Sequence, residues 1–241
     1  MASLLTTICA SATFLLIMLL SSVLQCNSQP PPPPPPPPQP YAKISFQWPM
    51  ALCAIHTCIK GPPGAFRLHG AWPTYANGRG MQKCTNQPFS WSAIKDMRAD
   101  LDYYWPSYLD DNRRFWQHEW EWHGTCSGLS VREYFERSLT LFRQAYRPMF
   151  NAIARVASPS NNKNMTLSTV PTLATYYNAV LAEFKIKPLV HCQMFNGISY
   201  FLEMRLCATA DLKKLVNCPD KINASGNCGL TAGTKALFYI Q

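Results

Sequence analysis

Leu189-Val-His-Cys-Gln-Met-Phe-Asn-Gly-Ile-Ser-Tyr-Phe-Leu-Glu-Met-Arg-Leu-Cys207 decides the fold class of this 241-residue chain. Two β-rich runs, 189–195 and 198–207, flank Asn196-Gly197, the dipeptide that suits the positive φ angles of a tight hairpin turn. Immediately upstream the pattern is helical. Pro171 is well placed as a first helical residue, leading Leu173, Tyr176, Tyr177, Val180, Leu181 and Phe184 on one face. Ser130-Val-Arg-Glu133 is a capping box that opens another helix, with Val131, Tyr134, Phe135, Leu139, Phe142 and Tyr146 as its apolar positions. Ser90 can cap a third, carrying Trp91, Ile94, Met97, Leu101 and Tyr104 and ending at Pro106.

Near the start of the globular part the pattern returns to strands. Lys43–Trp48 alternates Ile44, Phe46 and Trp48 against Lys43, Ser45 and Gln47, a half-buried strand stopped by Pro49. Ala65–His69 alternates again, and Gly70-Ala-Trp-Pro73 is expected to break it, leaving His69 at a strand end. Asn77-Gly-Arg-Gly80 is a turn in a polar stretch, and Ala236–Ile240 could add a short strand. Strands, then helices, then strands describe an α+β domain with a mainly antiparallel central sheet flanked by helices.

Residues 1–42 carry no charged side chain. The apolar run Phe14–Leu20, followed by small and polar residues, reads as a secretory signal occupying residues 1–28, too short for a membrane span. Pro30–Pro38 form a stiff polyproline arm within residues 29–40, and the domain occupies 41–241. The net charge of +9 therefore belongs to the domain and suits a polyanionic partner without choosing one. Eight of the ten cysteines fall in the domain: Cys53, Cys58, Cys84, Cys126, Cys192, Cys207, Cys218 and Cys228. An even set in an exported chain implies four disulfides, in a pairing that spacing alone leaves open. Asn164-Met-Thr and Asn223-Ala-Ser are N-glycosylation acceptors.

The chemistry is concentrated in Phe115-Trp-Gln-His-Glu-Trp-Glu-Trp-His-Gly-Thr-Cys126. On a helix, Glu119 and His123 sit one turn apart, as do His118 and Trp122, and Gly124 can end it as a left-handed cap. His118 and His123 would lie about 140° apart round that helix, which makes a shared metal awkward, and no metal or cofactor is expected. A buried structural helix does not readily explain three titratable groups together. Metal-free acid/base chemistry does: RNA carries its own 2′-hydroxyl nucleophile, and cleavage needs a base, an acid on the opposite side and donors for the phosphoryl charge. His69 is the ready opposite number for His123.

Phe66-Arg-Leu-His-Gly-Ala-Trp-Pro73 and His118–Cys126 together resemble the two active-site segments of the T2 family of ribonucleases. The likeness runs from Gln47-Trp-Pro49 to Cys228-Gly229, and the cysteine positions are similar to those of the plant branch. The resemblance implies the pairings Cys53–Cys58, Cys84–Cys126, Cys192–Cys228 and Cys207–Cys218. It implies His69 as general acid, His123 as general base and Glu119 as the supporting carboxylate. His118 would contact phosphate, Trp72 and Phe115 would stack bases, and Gln47 and Trp122 complete the substrate-contact set. Trp122 stands where the family usually has Lys, and Ala71 where it usually has Leu.

The reaction implied is cleavage of single-stranded RNA through a 2′,3′-cyclic phosphate by a secreted, monomeric, soluble enzyme. The basic charge and glycan sites resemble the stylar self-incompatibility group, whose expected partner is a pollen F-box protein; the alternatives are a scavenging or defence ribonuclease, and a non-catalytic storage or binding glycoprotein.

Overall fold

A five-stranded antiparallel sheet forms the frame, in the order β2-β1-β4-β3, with β5 beside the far end of β4. The strands are β1 Tyr41–Gln47, β2 Arg67–Thr74, β3 Leu189–Phe195, β4 Ile198–Thr209 and β5 Leu215–Val216. The computed structural model describes residues 39–157 and 171–219, all within one compact unit. The signal, the proline arm up to residue 38, both glycan acceptors, the Cys192–Cys228 pairing and the 236–240 strand lie outside the described residues.

The two faces of the sheet differ in chemistry. Cross-strand partners share a face, so Ile44 and Phe46 of β1 align with Leu206 and Met204 of β4 to make an apolar face. It packs against the helix Val131–Ala157, whose Phe142 stacks on Phe46 with ring centroids 4.8 Å apart. Ser45 and Gln47 align with Arg205 and Glu203 on the other face, and Gly70 and Trp72 of β2 join them. Here the expectation for β1 is corrected. Ser45 and Gln47 are buried too, because β1 is central and the polar face is covered rather than solvated.

Five α-helices are described: α1 Pro49–Ile55, α2 Arg98–Tyr104, α3 Asn112–Trp122, α4 Val131–Ala157 and α5 Leu173–Phe184. Pro49 stops β1 but also occupies the first turn of α1, where its missing N–H costs nothing. The Ser130/Glu133 capping box is present in both directions, at 3.1 Å and 3.3 Å. Thr172, not Pro171, borders α5, and its hydroxyl accepts the Thr175 N–H. The Ser90 helix is broken into two 3₁₀ turns followed by α2; Ser90 makes no side-chain cap and meets the Ser92 hydroxyl instead. The Asn196-Gly197 turn is as expected, with φ of 48° and 75°. Among the described residues three disulfides form, Cys53–Cys58, Cys84–Cys126 and Cys207–Cys218, in the implied pairing.

Candidate active site

β2 does not break at Gly70 but runs on to Thr74, placing His69 inside a strand. Its register against β1 slips by one residue: Phe46 faces Leu68, Ser45 faces Gly70, and His69 is the extra residue between them. Such a bulge re-aims a side chain. It lets the following Gly70 share the polar face with His69, and so brings Trp72 round to that face as well. Pro73 is tolerated because β2 is an edge strand in the sheet path.

The helical half comes from α3. Asp111 caps it, accepting the N–H groups of Arg113 and Arg114. The helix ends at Trp122, one residue before His123, whose φ of −123° and ψ of −49° swing it out of the helical path. Gly124 is therefore not a left-handed cap but the start of a 3₁₀ turn; a Cβ there would collide with the Trp120 ring. This exit also removes the 140° argument against a metal. The ligand atoms of His118, Glu119 and His123 all lie within 4.8 Å of one another, so they have the spacing to share an ion.

Trp72 joins the halves. Its indole N–H donates to Glu119 Oε2 at 3.0 Å. Its ring centroid is 5.0 Å from that of His69 and 5.7 Å from that of His123. The Arg205 guanidinium lies over the Trp72 ring, 4.8 Å from its centroid. Gly70 is required by this junction, because a Cβ at that position would run into both Glu119 Oε2 and Trp72 Nε1.

Electrostatics separate the titratable groups. Glu119 is 2% exposed, and burial pushes its carboxyl up to about 7, partly opposed by His69 and the Trp72 N–H. His123 is pushed down to about 4 by burial, with repulsion from His118 adding to it. His118, on the exposed side of α3, is lowered by burial and by the nearby charges of His69 and Lys83. Burial alone would lower His69, but the carboxylate of Glu203 outweighs it and the imidazole ends up raised.

A cleft of about 460 Å³ opens beside this cluster, lined by Gln47, His69, Phe115, His118, His191 and Arg205 among others. Phe115 stacks at 6.0 Å from His69. The Gln47 amide nitrogen is 3.4 Å from His69 Nδ1. Trp122 lies outside this cleft lining: its ring stacks on His118 at 5.4 Å and carries the Lys83 ammonium 4.1 Å above its centre. A cation thus stands over residue 122 although 122 itself is not basic.

Sequence reasoning brought together His69, Glu119, His123, His118 and Trp72 but missed Glu203, Arg205 and Lys83. No signal marked the first two: the alternating charges in Phe201-Leu-Glu-Met-Arg-Leu206 look like a solvated face, whereas Glu203 is 1% exposed.

Comparison with known proteins identifies the family and the fold. The family model described as Ribonuclease T2 family matches residues 40–218. Ribonuclease 3 of Arabidopsis thaliana is 30% identical over 194 residues, covering 76% of this chain and 83% of its own. Ribonuclease S-2 of Pyrus pyrifolia is 28% identical over 187 residues, covering 74% and 81%. The crystal structure of RNase NT in complex with 5′-AMP superposes with a TM-score of 0.68 at 26% identity, covering 83% of this chain and 98% of that one.

Proposed function

This chain belongs to the Ribonuclease T2 family and is a T2-type endoribonuclease, and we propose that it cleaves single-stranded RNA with His69 as acid and His123 as base. The observation that carries the assignment is the split between the two imidazoles: His123 is held down to about 4 while His69 is raised. In mild acid the first is neutral and can accept a proton, and the second is charged and can give one.

In the first step His123 takes the 2′-hydroxyl proton as that oxygen attacks phosphorus. His69 delivers its proton to the departing 5′-oxygen, leaving a 2′,3′-cyclic phosphate and a 5′-hydroxyl fragment. In the slower second step water replaces the 5′-hydroxyl and the roles reverse, giving a 3′-phosphate. Glu119, raised to about 7, is protonated in the same pH range. It can donate to a phosphoryl oxygen while Trp72 holds its other oxygen in place. His118 contributes a second donor at the exposed edge. Phe115 and Gln47 line the cleft in which a base can stack. The atoms balance without any cofactor. Purified protein should turn single-stranded RNA into fragments with cyclic-phosphate ends; RNA left intact from acid to neutral pH would refute this.

The biological setting we infer is secretion after removal of residues 1–28, as a monomer with a proline arm at 29–40, a domain from 41 and glycans at Asn164 and Asn223. The net charge of +9 favours a stylar self-incompatibility role with a pollen F-box partner over RNA scavenging. Ribonuclease 3 of Arabidopsis thaliana and Ribonuclease S-2 of Pyrus pyrifolia are similarly distant from this chain, so charge and glycan sites carry this part. Pistil-confined expression with allelic variation supports it; expression in starved root or senescing leaf overturns it.

A further inference from the structure

We propose that Glu203 and Arg205 are positioning residues that fix the orientation, tautomer and charge of His69, making it a proton donor through Nε2. The inference rests on the acid role assigned to His69 above and deepens it.

The geometry begins with two register slips. His69 is the extra residue of the β1–β2 ladder, and Leu202 is the extra residue of the β3–β4 ladder, immediately before Glu203. The first slip lies at His69 itself, on the polar face, and brings Gly70 and Trp72 to the same face; the second adjoins the carboxylate that meets His69. Glu203 Oε1 lies 2.5 Å from His69 Nδ1. Glu203 Oε2 accepts from both Nε and Nη2 of Arg205, at 2.8 Å and 2.6 Å. Both carboxylate oxygens are thus engaged, one with the imidazole and one with the guanidinium.

A buried carboxylate is costly unless it is paired and hydrogen-bonded. Arg205 supplies that pairing independently of His69, so Glu203 stays ionised whether His69 is charged or neutral. An anion that cannot be neutralised at Nδ1 stabilises the imidazolium. It also holds the hydrogen of neutral His69 on Nδ1, which leaves Nε2 as the atom that gains and gives the working proton. With Nδ1–H committed to Glu203, the Gln47 amide nitrogen at 3.4 Å meets no lone pair there and is a neighbour rather than a donor. Arginine suits the role better than lysine: its planar group binds one carboxylate oxygen through two nitrogens and lies against the Trp72 ring.

The surrounding charges act in the same direction. Burial would raise the Glu203 carboxyl, yet Arg205 and then His69 hold it well below the usual carboxylate range, with His191 of β3 adding to them. His69 itself faces Glu203 and Arg205 from β4 and Glu119 from α3; His118 and His123 are coupled to it by charge. The carboxyl group near His123 is that of Glu119, which burial keeps protonated up to about 7, so it does not charge that ring as Glu203 charges His69.

The test begins with the unaltered protein. Nitrogen-15 NMR of His69 at high pH should show the neutral ring protonated on Nδ1; a neutral ring protonated on Nε2 overturns the proposal. Next, kcat/KM for a dinucleotide is followed against pH in Glu203→Gln and Arg205→Met. In Glu203→Gln the alkaline limb should move at least one pH unit lower and kcat at pH 7 should fall about ten-fold, with KM changed less than three-fold. Arg205→Met should shift the limb in the same direction by less, and Glu203→Asp should restore part of it. A limb that stays in place in folded Glu203→Gln, or a loss confined to KM, overturns the pair's role. If His69→Ala itself kept full activity, the acid assignment would fall together with this proposal; an inactive His69→Ala with an unmoved Glu203→Gln limb would remove this proposal alone.

Discussion

The Trp72 indole N–H donates to Glu119 Oε2 at 3.0 Å, and this bond joins the strand half of the site to its helix half. Glu119 is buried on α3, and Trp72 stands on the sheet beside His69. The bond runs through the space where residue 70 would carry a Cβ.

Gly70→Ala should therefore displace one partner or the other. Overpacking of this kind costs about 1–3 kcal/mol, and a misplacement of about 1 Å in such a site can cost ~100-fold in rate. Denaturant melts and kcat/KM on RNA measure the two effects. A variant within two-fold of wild type would show that the junction does not need glycine.

The pH profile should be bell-shaped. Activity rises as His123 loses its proton near about 4. It falls again above the ordinary histidine value of about 6.5, where the raised His69 loses its own. The measurement is kcat/KM of the free enzyme across pH 3 to 9, with stability checked at both ends.

Glu119 provides a stability test with a definite sign. Its folded pKa is about 7 against an ordinary 4.5, so between those values the native state holds a proton that the unfolded state has released. Stability therefore falls as pH rises through this window. Glu119→Gln removes the penalty while its amide oxygen still accepts the Trp72 N–H. The variant should gain about 3 kcal/mol on wild type at pH 8 relative to pH 4, while losing activity. Urea melts at the two pH values read this directly.

The fold was legible where periodicity and turn chemistry agree. The Asn196-Gly197 hairpin, the Ser130 capping box and the apolar stripe of α4 follow from local rules that the tertiary structure respects. The errors have two sources. The bulge at His69 depends on pairing with a strand distant in sequence, whereas Gly124 is packed under the Trp120 ring one helical turn before it. A bulge changes which face a strand residue takes, and no alternation pattern reveals it. Glu203 and Arg205 were invisible for the same reason: paired with each other and covered, they imitate a solvated strand face.

Lys83 offers a further check at the exposed edge. Its ammonium sits 4.1 Å over the Trp122 ring, and its charge contributes to lowering the His118 imidazole. Lys83→Gln should raise the His118 pKa and reduce kcat/KM several-fold by removing positive charge near the phosphate. Proton NMR titration of His118, with steady-state kinetics alongside, would show both; an unmoved His118 would place Lys83 outside the site's electrostatics.

The central claim is that His69 gives the proton and His123 takes it, and an activated leaving group tests it most directly. A uridine 3′-phosphate ester of 4-nitrophenol needs no acid for departure, whereas a dinucleotide does. His69→Ala should lose at least ~100-fold on the dinucleotide yet remain close to wild type on the nitrophenyl ester. His123→Ala should lose activity on both. The reverse pattern, or equal losses for the two variants on the ester, would contradict the assignment.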